Sequence, residues 1–410
     1  MNMLGSSEKS AGRLDYRWII VIVGFIINLF LGAIYSYSIF RKPLERLWGI
    51  TSTESGLPYT VFLAAFAFFM PFAGSFLERF GPRSTLILGS LLVATGWILS
   101  GYSTNIYVLT VLYGLLGGAG TGTVYSVPIT TAAKWFPEKA GTAIGLTVLG
   151  FGLSPLITAP IITSLIELVG PLRTFLYIGI AILPILLAFS FLLRFPQQYA
   201  HKSDSSGSQN REAQIELDRS GMLRTRFFYA LWLAYAIGCL SGFTAIGITA
   251  PFGIEIMHID QTASSMAVSL FAIFNGLGRP LFGWLTDKLR PRAASMISFG
   301  MIASASSLLY FFSAGNLIVF YLGFAVLWLN LGGWLAIAPT STKVFFGTKN
   351  YGKNYGIVIT ADGAGAILGP VISGWLRDST GTYLSVLPLI ASLALIGLLI
   401  VYVGFKQEKY

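Results

Sequence analysis

The sequence predicts an all-α membrane protein with twelve transmembrane helices in two pseudo-symmetric six-helix bundles. Of its 410 residues, 54% are hydrophobic and only 11% are charged, whereas soluble domains carry about 25% charged residues. Apolar stretches of roughly 20 residues, the length that crosses a bilayer, recur along nearly the whole chain. A further observation, a motif repeated at a fixed spacing, divides these stretches into two halves.

Apolar windows place the twelve predicted spans in order along the chain. The first apolar run follows sixteen mostly polar residues and is too long for the hydrophobic region of a signal peptide, so we expect it to be the first transmembrane helix. The spans lie near residues 17–40, 57–77, 84–101, 106–133, 141–167, 172–193, 226–254, 262–286, 293–313, 316–342, 354–376 and 382–405.

A polar stretch from Gln197 to Arg219, rich in Ser, Asp and Glu, separates the sixth predicted span from the seventh. This composition is typical of a flexible linker. The predicted organisation is an N-terminal bundle over residues 1–193, a cytoplasmic linker over 194–225 and a C-terminal bundle over 226–410.

Basic residues are distributed unevenly between the two sides of the membrane. With an even number of spans both termini share one side, and that side has 21 of the 27 Lys and Arg residues, against five on the other. Because Lys and Arg accumulate on the cytoplasmic side, we expect both termini to be cytoplasmic and the protein to lie in the plasma (inner) membrane. The net charge of +10 therefore reflects topology, and we expect no nucleic-acid partner.

Residues suited to metal binding or catalysis are scarce. The single cysteine, Cys239, falls inside an apolar span, so it cannot form an intrachain disulfide and we expect it to pack. His201 and His258 have no neighbours at ligand spacing, so we expect no metal site and no cofactor. The predicted spans hold no nucleophile paired with a base, which argues against an enzyme.

One ten-residue segment occurs twice, from Gly74 to Arg83 and again from Gly283 to Arg292, at an offset of 209. Each copy has a glycine, an acidic residue one helical turn later and a basic cluster. We expect the glycine to let helices approach and the acid to pair across the loop; the alternative is a charge cluster that only sets topology. The residues concerned are Gly74, Glu78, Arg79 and Arg83 in the first copy and Gly283, Asp287, Lys288 and Arg292 in the second.

Other positions repeat as well. The offset of 209 relates Lys134 to Lys343, and after a two-residue insertion Gly145 corresponds to Gly356 and Gly152 to Gly363. The second copy of the loop departs from the first because Arg290 stands where the first has Gly81. The pattern predicts two halves of common ancestry.

These segments resemble the loop motif of the major facilitator superfamily, whose members contain repeated six-helix halves. Within it the chain resembles the group of monocarboxylate porters and oxalate/formate antiporters. The resemblance implies alternating access, in which two bundles rock around a central site. It is carried by Tyr35-Ser36, by the run from Lys134 to Gly141, by the run from Phe274 to Pro280 and by Asn354-Tyr355-Gly356.

Two charges lie well inside predicted spans rather than near their ends, Arg279 in the eighth and Asp362 in the eleventh. An intramembrane charge costs several kcal/mol, so it is usually paired, water-facing or functional. Helical rise puts both roughly 12 to 14 Å from the cytoplasmic face. We expect both to face a central cavity and either to share a substrate or to form a permanent salt bridge.

Arg279 has the chemistry to bind a carboxylate, because guanidinium stays charged and donates two parallel hydrogen bonds. The resemblance also implies that this arginine is the anion-binding residue. It further implies a lysine at the position of Asp362 in oxalate carriers and an acidic residue there in monocarboxylate porters. One positive and one negative group suit a monoanion such as lactate or pyruvate that enters with a proton, with Asp362 as the proton-coupling group.

Asn275 leaves two transport modes possible, proton-coupled symport and anion exchange. It stands one turn before Arg279, where proton-coupled porters commonly carry aspartate, so exchange of anions of the oxalate/formate type is the alternative. We expect the protein to work as a monomer whose partners are a small monocarboxylate anion, a proton and the bilayer. Further candidates for the substrate site, for which packing is the competing interpretation, are Asn28, Tyr35, Tyr37, Tyr125 and Trp334, with Asn275 itself.

Overall fold

The computed structural model describes residues 4–50, 52–196 and 216–406. In these ranges, ten helical segments are long and apolar enough to cross a membrane. Two of them, Glu54–Ser100 and Met266–Phe312, have 47 residues each, which at 1.5 Å per residue is about 70 Å, more than twice the bilayer core. Each breaks near its middle, at Gly81 or Arg290. The described chain therefore crosses the membrane twelve times, as the sequence predicts.

The N-terminal half provides six spans and one short helix. Helix α1 covers Leu4–Leu31 and continues as a 3₁₀ turn over Gly32–Ser36, and the short helix Ser38–Trp48 follows. Ser52–Ser100 divides at Gly81 into α2 (52–80) and α3 (82–100). Helix α4 comprises Ile106–Leu109, a π-helical stretch over Thr110–Gly117, and Gly118–Trp135; α5 is Ala140–Val169 and α6 is Pro171–Ser190.

The C-terminal half repeats this arrangement after the short helix Arg219–Leu223. Helix α7 is Arg226–Glu255, and Gln261–Phe312 divides at Arg290 into α8 (261–289) and α9 (291–312). Helix α10 is Leu317–Phe346 and α11 comprises Tyr351–Val358 and Thr360–Thr380, interrupted at Ile359. A 3₁₀ turn over Tyr383–Ser385 leads into α12, Val386–Gly404.

Polar side chains begin several of these helices. The first backbone N–H groups of a helix have no partner within the helix, so a side-chain acceptor there is stabilising. Asn105 accepts from the N–H groups of Tyr107 and Val108 at the start of α4, and Asp260 accepts from Ala263 at the start of α8. Two structural details were not predicted: α1 already begins at Leu4, ahead of residue 17, and Ser38–Trp48 forms a separate helix.

Both ends of the described chain lie on one face of the molecule, which we call the terminal face. Near the start of α1, Tyr16 donates to the carbonyl of Leu192, just beyond α6, at 2.6 Å. At the start of α7, Arg226 donates to the carbonyl of Lys406 at 2.8 Å. Each half therefore starts and finishes at this face.

The described ends of the predicted linker contact their own bundles. Trp135 donates to the carbonyl of Arg194 at 2.7 Å. On the other side of the linker, Leu217 donates to the carbonyl of Phe346 at 3.0 Å, and Glu216 accepts from the N–H of Lys349 at 2.8 Å. The middle of the predicted linker, residues 197–215 with His201, lies outside the described residues.

Candidate functional site

A small cavity of about 20 Å³ lies between the two bundles, near the middle of the spans. This volume holds about one water molecule, so a substrate can enter only if the bundles separate. The lining comes from helices of both halves: Ile34, Tyr35, Phe62, Leu63, Phe66, Tyr125 and Phe151 from the first, and Phe243, Arg279, Leu335, Ile359 and Asp362 from the second.

Helix irregularities lie next to this cavity. Helix α1 tightens into a 3₁₀ turn over Gly32–Ser36, which contains Tyr35, and α11 is interrupted at Ile359, one turn before Asp362. Such departures from regular α-helix within a span often mark functional hinges. They set the direction in which the lining side chains of α1 and α11 point.

Arg279 is fully buried in α8 and reaches across to α5. One guanidinium nitrogen donates to the carbonyl of Val148 at 2.6 Å, and the other donates to the Oδ1 atom of Asn275 at 3.3 Å. Its Nε is buried without a hydrogen-bond partner. Gly152 leaves the space for this arrangement, because a Cβ there would lie 3.2 Å from that Nε. Arg279 thus keeps one donor, its Nε, without a hydrogen-bond partner.

Asp362 is 8% exposed and contributes the acidic group of the cavity lining. Its Oδ1 accepts a hydrogen bond from the thiol of Cys239, on α7, at 3.2 Å. Among the described residues, no ion pair joins Asp362 to Arg279, although both line the same cavity. The two charges are therefore held separately, and no permanent salt bridge ties α8 to α11.

The N-terminal bundle contributes an aromatic wall, which we define as Tyr35, Phe66, Tyr125 and Phe151. Phe151 is at its centre, with ring centroids 5.1 Å from Tyr35 and 5.4 Å from Tyr125 in edge-to-face contacts. The guanidinium carbon of Arg279 lies 5.7 Å from the centroid of Phe151, within cation–π range. The cavity is thus aromatic on one side and carries both its charges on the other.

The structure brings only some of the proposed site residues to the cavity. Tyr35 and Tyr125 line it with Arg279 and Asp362, while Asn275 lies one turn behind Arg279 and accepts a hydrogen bond from it.

Three other candidates pack away from the cavity in this conformation. Asn28 donates to the carbonyl of Gly24 in its own helix at 2.9 Å, and Tyr37 donates to the carbonyl of Ser55 at 2.9 Å. Trp334 packs against Phe299, with ring centroids 4.9 Å apart. Each of these side chains is buried by its own bundle, so packing describes them as they stand here.

The sequence did not identify several residues of this region, among them Phe66, Cys239 and Phe151. Cys239 was assigned only to packing, and nothing in its sequence context indicates that it bonds to Asp362. The repeat could have identified Phe151, because the offset of 211 that relates Gly145 to Gly356 also relates Phe151 to Asp362. The repeat therefore marks the two positions as equivalent, one in each bundle.

The bundles meet along two seams, α5 against α8 and α2 against α11. A Cβ at Gly283 would overlap the carbonyl oxygen of Gly141, and a Cβ at Gly74 would overlap that of Gly352. Glycine is required at these crossings because the two backbones touch. Closer to the cavity, Gly145 contacts the backbone of α8 in the same way.

The acidic residues of the repeated motif cross the seams at the terminal face. Asp287 accepts from the N–H groups of Gly141 and Thr142 at 2.8 and 2.7 Å, and from the Thr142 hydroxyl at 2.7 Å. Glu78 accepts from the N–H of Gly352 at 2.9 Å. Each carboxylate thereby meets the positive N-terminal end of a helix in the other bundle, an arrangement that is electrostatically favourable.

The basic residues of the motif remain within their own bundles. Arg83 stacks on Phe191 beyond α6 at 4.3 Å, and Arg292 donates to the carbonyl of Tyr402 in α12 at 3.0 Å. The other two stack on neighbours in their own helices, with Arg79 over Phe80 and Lys288 over Trp284.

The two loops of the motif have the same backbone conformation despite their different residues. Gly81 has φ 80° and ψ 174°, and Arg290 has φ 68° and ψ 162°. A positive φ favours glycine, so Arg290 adopts this conformation at a cost in strain.

A twelve-span, two-bundle fold that encloses a charged cavity is the architecture of a membrane transporter. The sequence profile of the Major Facilitator Superfamily matches residues 18–254 and 231–409, almost the entire chain. The chain therefore belongs to this superfamily. It is a multi-pass membrane transporter and not an enzyme.

The sequences of similar proteins match this chain over most of their lengths. The oxalate:formate antiporter of Oxalobacter formigenes is 28% identical over 374 residues, covering 91% of this chain and 88% of its own. Monocarboxylate transporter 12 of Xenopus laevis is 25% identical over 400 residues, covering 92% and 86%. A solved structure of the Escherichia coli fucose:proton symporter superposes with a TM-score of 0.73 at 15% identity, covering 96% of this chain and all of that one, which supports the fold.

Proposed function

We propose that this protein is a secondary active transporter of short-chain monocarboxylates such as lactate and pyruvate, coupled to protons and working by alternating access as a monomer. The observation that carries the proposal is the cavity. A buried arginine and a buried carboxyl both line it but make no ion pair with each other. Arg279 binds the substrate carboxylate, and Asp362 takes up the coupled proton.

The net charge of the site supports a monoanion. When Asp362 is protonated, the charge of Arg279 is balanced by a single carboxylate, so the loaded site is neutral and the bundles can rock around it at low electrostatic cost. A dianion would leave one negative charge without a partner, since Arg279 is the single cation among the described residues that line the cavity. The remaining lining is aromatic and aliphatic, which favours a short apolar tail.

The seams support alternating access. The crossings at Gly74 and Gly283 and the bonds accepted by Glu78 and Asp287 hold the terminal face closed below the cavity. The excess of basic residues on that face favours a cytoplasmic location for it and for both termini, in a plasma (inner) membrane. The bundles would then rock apart along α2–α11 and α5–α8 to release substrate into the cytoplasm.

An exchanger of organic anions, of the oxalate/formate type, is the second candidate. The 28% identity to the oxalate:formate antiporter over 91% of the chain supports it. So does Asn275, which accepts a hydrogen bond from Arg279 but has no titratable group to take up a proton. In such a carrier Asp362 would stay charged, and each anion entering would drive another one out.

Purified protein in vesicles separates these two functions. Vesicles that contain a pH-sensitive dye and no substrate should take up labelled lactate and acidify inside, because a proton enters with each anion. Uptake that occurs only when the vesicles are preloaded with anion, with oxalate preferred to lactate and no change of internal pH, would support exchange instead.

Arg279→Lys tests the binding residue. Lysine keeps the charge but loses the planar pair of donors, so we expect lactate uptake to fall by about a hundred-fold, the scale of a lost buried charged hydrogen bond. Arg219→Lys, an exposed position at the terminal face, is the matched control and should transport normally. Wild-type rates in Arg279→Lys, at equal amounts of inserted protein, would remove Arg279 from the site.

A further inference from the structure

We propose that the same cavity also carries small zwitterionic carboxylates, neutral 2-amino acids being the simplest, with the ammonium group of the substrate replacing the coupled proton. This inference rests on the assignment of the cavity as the transport site in the proposed function. It extends the substrate class from monoanions to molecules that carry one charge of each sign.

The two charges of the cavity are held apart from each other. Arg279 is bonded to Val148 and Asn275, and Asp362 is bonded to Cys239, so each charge is held in place by its own neighbours. Among the described residues these two charges share a cavity but make no ion pair with each other. A buried charge that makes no close ion pair is costly. A ligand with a carboxylate and an ammonium group satisfies both at once.

The net charge of the loaded cavity is the same for a monoanion with a proton and for a zwitterion. With a monoanion, the cavity contains the positive Arg279, the negative carboxylate and an Asp362 neutralised by a proton. With a zwitterion, Asp362 stays negative and the ammonium group balances it, while the carboxylate still balances Arg279. Both loaded states are neutral, so the bundles can rock around either substrate at a similar electrostatic cost.

The aromatic wall favours a substrate that carries an ammonium group. Aromatic faces attract cations, and five rings of the N-terminal bundle line the cavity, four of them in the aromatic wall. Phe151 already lies within cation–π range of Arg279. Tyr35, Phe66 and Tyr125 offer further ring surface to an ammonium group that faces Asp362.

L-lactate and L-alanine form a matched pair of probes, because they differ only in a hydroxyl or an ammonium group on the same carbon. We expect protein-containing vesicles to take up both, at rates within about ten-fold of each other. Lactate should acidify the vesicle interior, whereas alanine should enter without any change of internal pH, since it brings its own positive charge.

The variant Asp362→Asn sharpens the test. Asparagine cannot balance an ammonium group, so alanine uptake should fall by about ten-fold or more relative to lactate counterflow, and lactate should no longer move protons. Asp378→Asn is the control in the same helix, because its side chain is 79% exposed. It should leave the ratio of alanine to lactate uptake unchanged.

The outcomes distinguish the two proposals. Proton-coupled lactate uptake without alanine uptake overturns this inference and leaves the proposed function standing. Alanine entry accompanied by a proton, or an alanine rate that Asp362→Asn does not change, also overturns it. Vesicles that transport neither compound overturn the monocarboxylate function together with the inference.

Discussion

The seam between α5 and α8 and the seam between α2 and α11 are built alike but carry different chemistry. In both, a glycine pair brings the backbones into contact at the terminal face. Near the cavity the likeness ends, because Arg279 of α8 donates across its seam to Val148, and the repeat puts Met70 at the equivalent place in α2. Likewise the second half has Asp362 where the first has Phe151. The repeat retains the mechanical contacts in both halves, while both charges belong to one half.

The seams also differ at their terminal ends. Asp287 directs its carboxylate at α5 and accepts three hydrogen bonds from it. Glu78 divides its carboxylate between Gly352 across the seam and Lys134 within its own bundle, at 2.7 Å. Lys343, the repeat partner of Lys134, donates instead to the carbonyl of Pro137 in the other bundle. The α5–α8 side is therefore held together by more charged contacts.

Valine at either glycine crossing should have the largest effect. In Gly74→Val and in Gly283→Val the new side chain would overlap a backbone carbonyl, and overpacking of this kind costs about 1 to 3 kcal/mol or more. We expect the terminal face to remain open and transport to fall by about ten-fold or more. Pulsed electron paramagnetic resonance between labels on the two bundles would measure the separation, since Cys239, the only native cysteine, is buried.

Gly300→Val is the matched control for these variants, because nothing lies within 4 Å of a Cβ at Gly300. It should transport normally and close normally. If only one of the two seam variants opened the terminal face, the seams would not be mechanically equivalent.

Substitutions of Asp287 and Glu78 should affect the closure of the terminal face and the thermal stability of the protein to different extents. Asp287→Asn removes a charge whose three hydrogen bonds all cross a seam, so we expect it to shift the equilibrium toward the open terminal face by about 2 kcal/mol, roughly thirty-fold. Glu78→Gln should shift it less but lower the apparent melting temperature more, because buried Lys134 loses a charged partner within its own bundle. Label distances and thermal unfolding in detergent measure the two effects.

Equal shifts of the opening equilibrium in both variants would contradict this difference between the seams. Asp260→Asn is the control for the loss of one carboxylate, because Asp260 caps α8 within the C-terminal bundle. It should leave the closure of the terminal face unchanged.

The loop turns should show the smallest effect. Arg290 has a positive φ that costs a non-glycine residue about 1 to 3 kcal/mol. We therefore expect Arg290→Gly to raise the apparent melting temperature and Gly81→Arg to lower it, with transport near normal in both. Arg290→Lys keeps both strain and charge and should change neither. A fall in melting temperature for Arg290→Gly would mean that the side chain of Arg290 contributes more than its backbone costs.

The sequence predicted the architecture well because hydropathy and repetition act over whole segments. Twelve spans, the offset of the two halves and the presence of Arg279 and Asp362 within spans all follow from patterns of many residues. The direction of a single side chain does not. In a membrane helix most faces are apolar, so hydropathy does not tell which face of α1 or α10 turns inward, and Tyr37, Asn28 and Trp334 pack elsewhere.

By itself, the sequence determined how often the chain crosses the membrane, where the halves correspond and which two charges must be sheltered from lipid. Only the tertiary structure decided that those charges remain apart. Helix rotation and the interruption of α11 at Ile359 set where each side chain points. Arg279 consequently reaches a carbonyl across the seam, while Asp362 turns toward Cys239. A gap between two opposite charges depends on the packing of four helices, and no single segment of sequence specifies it.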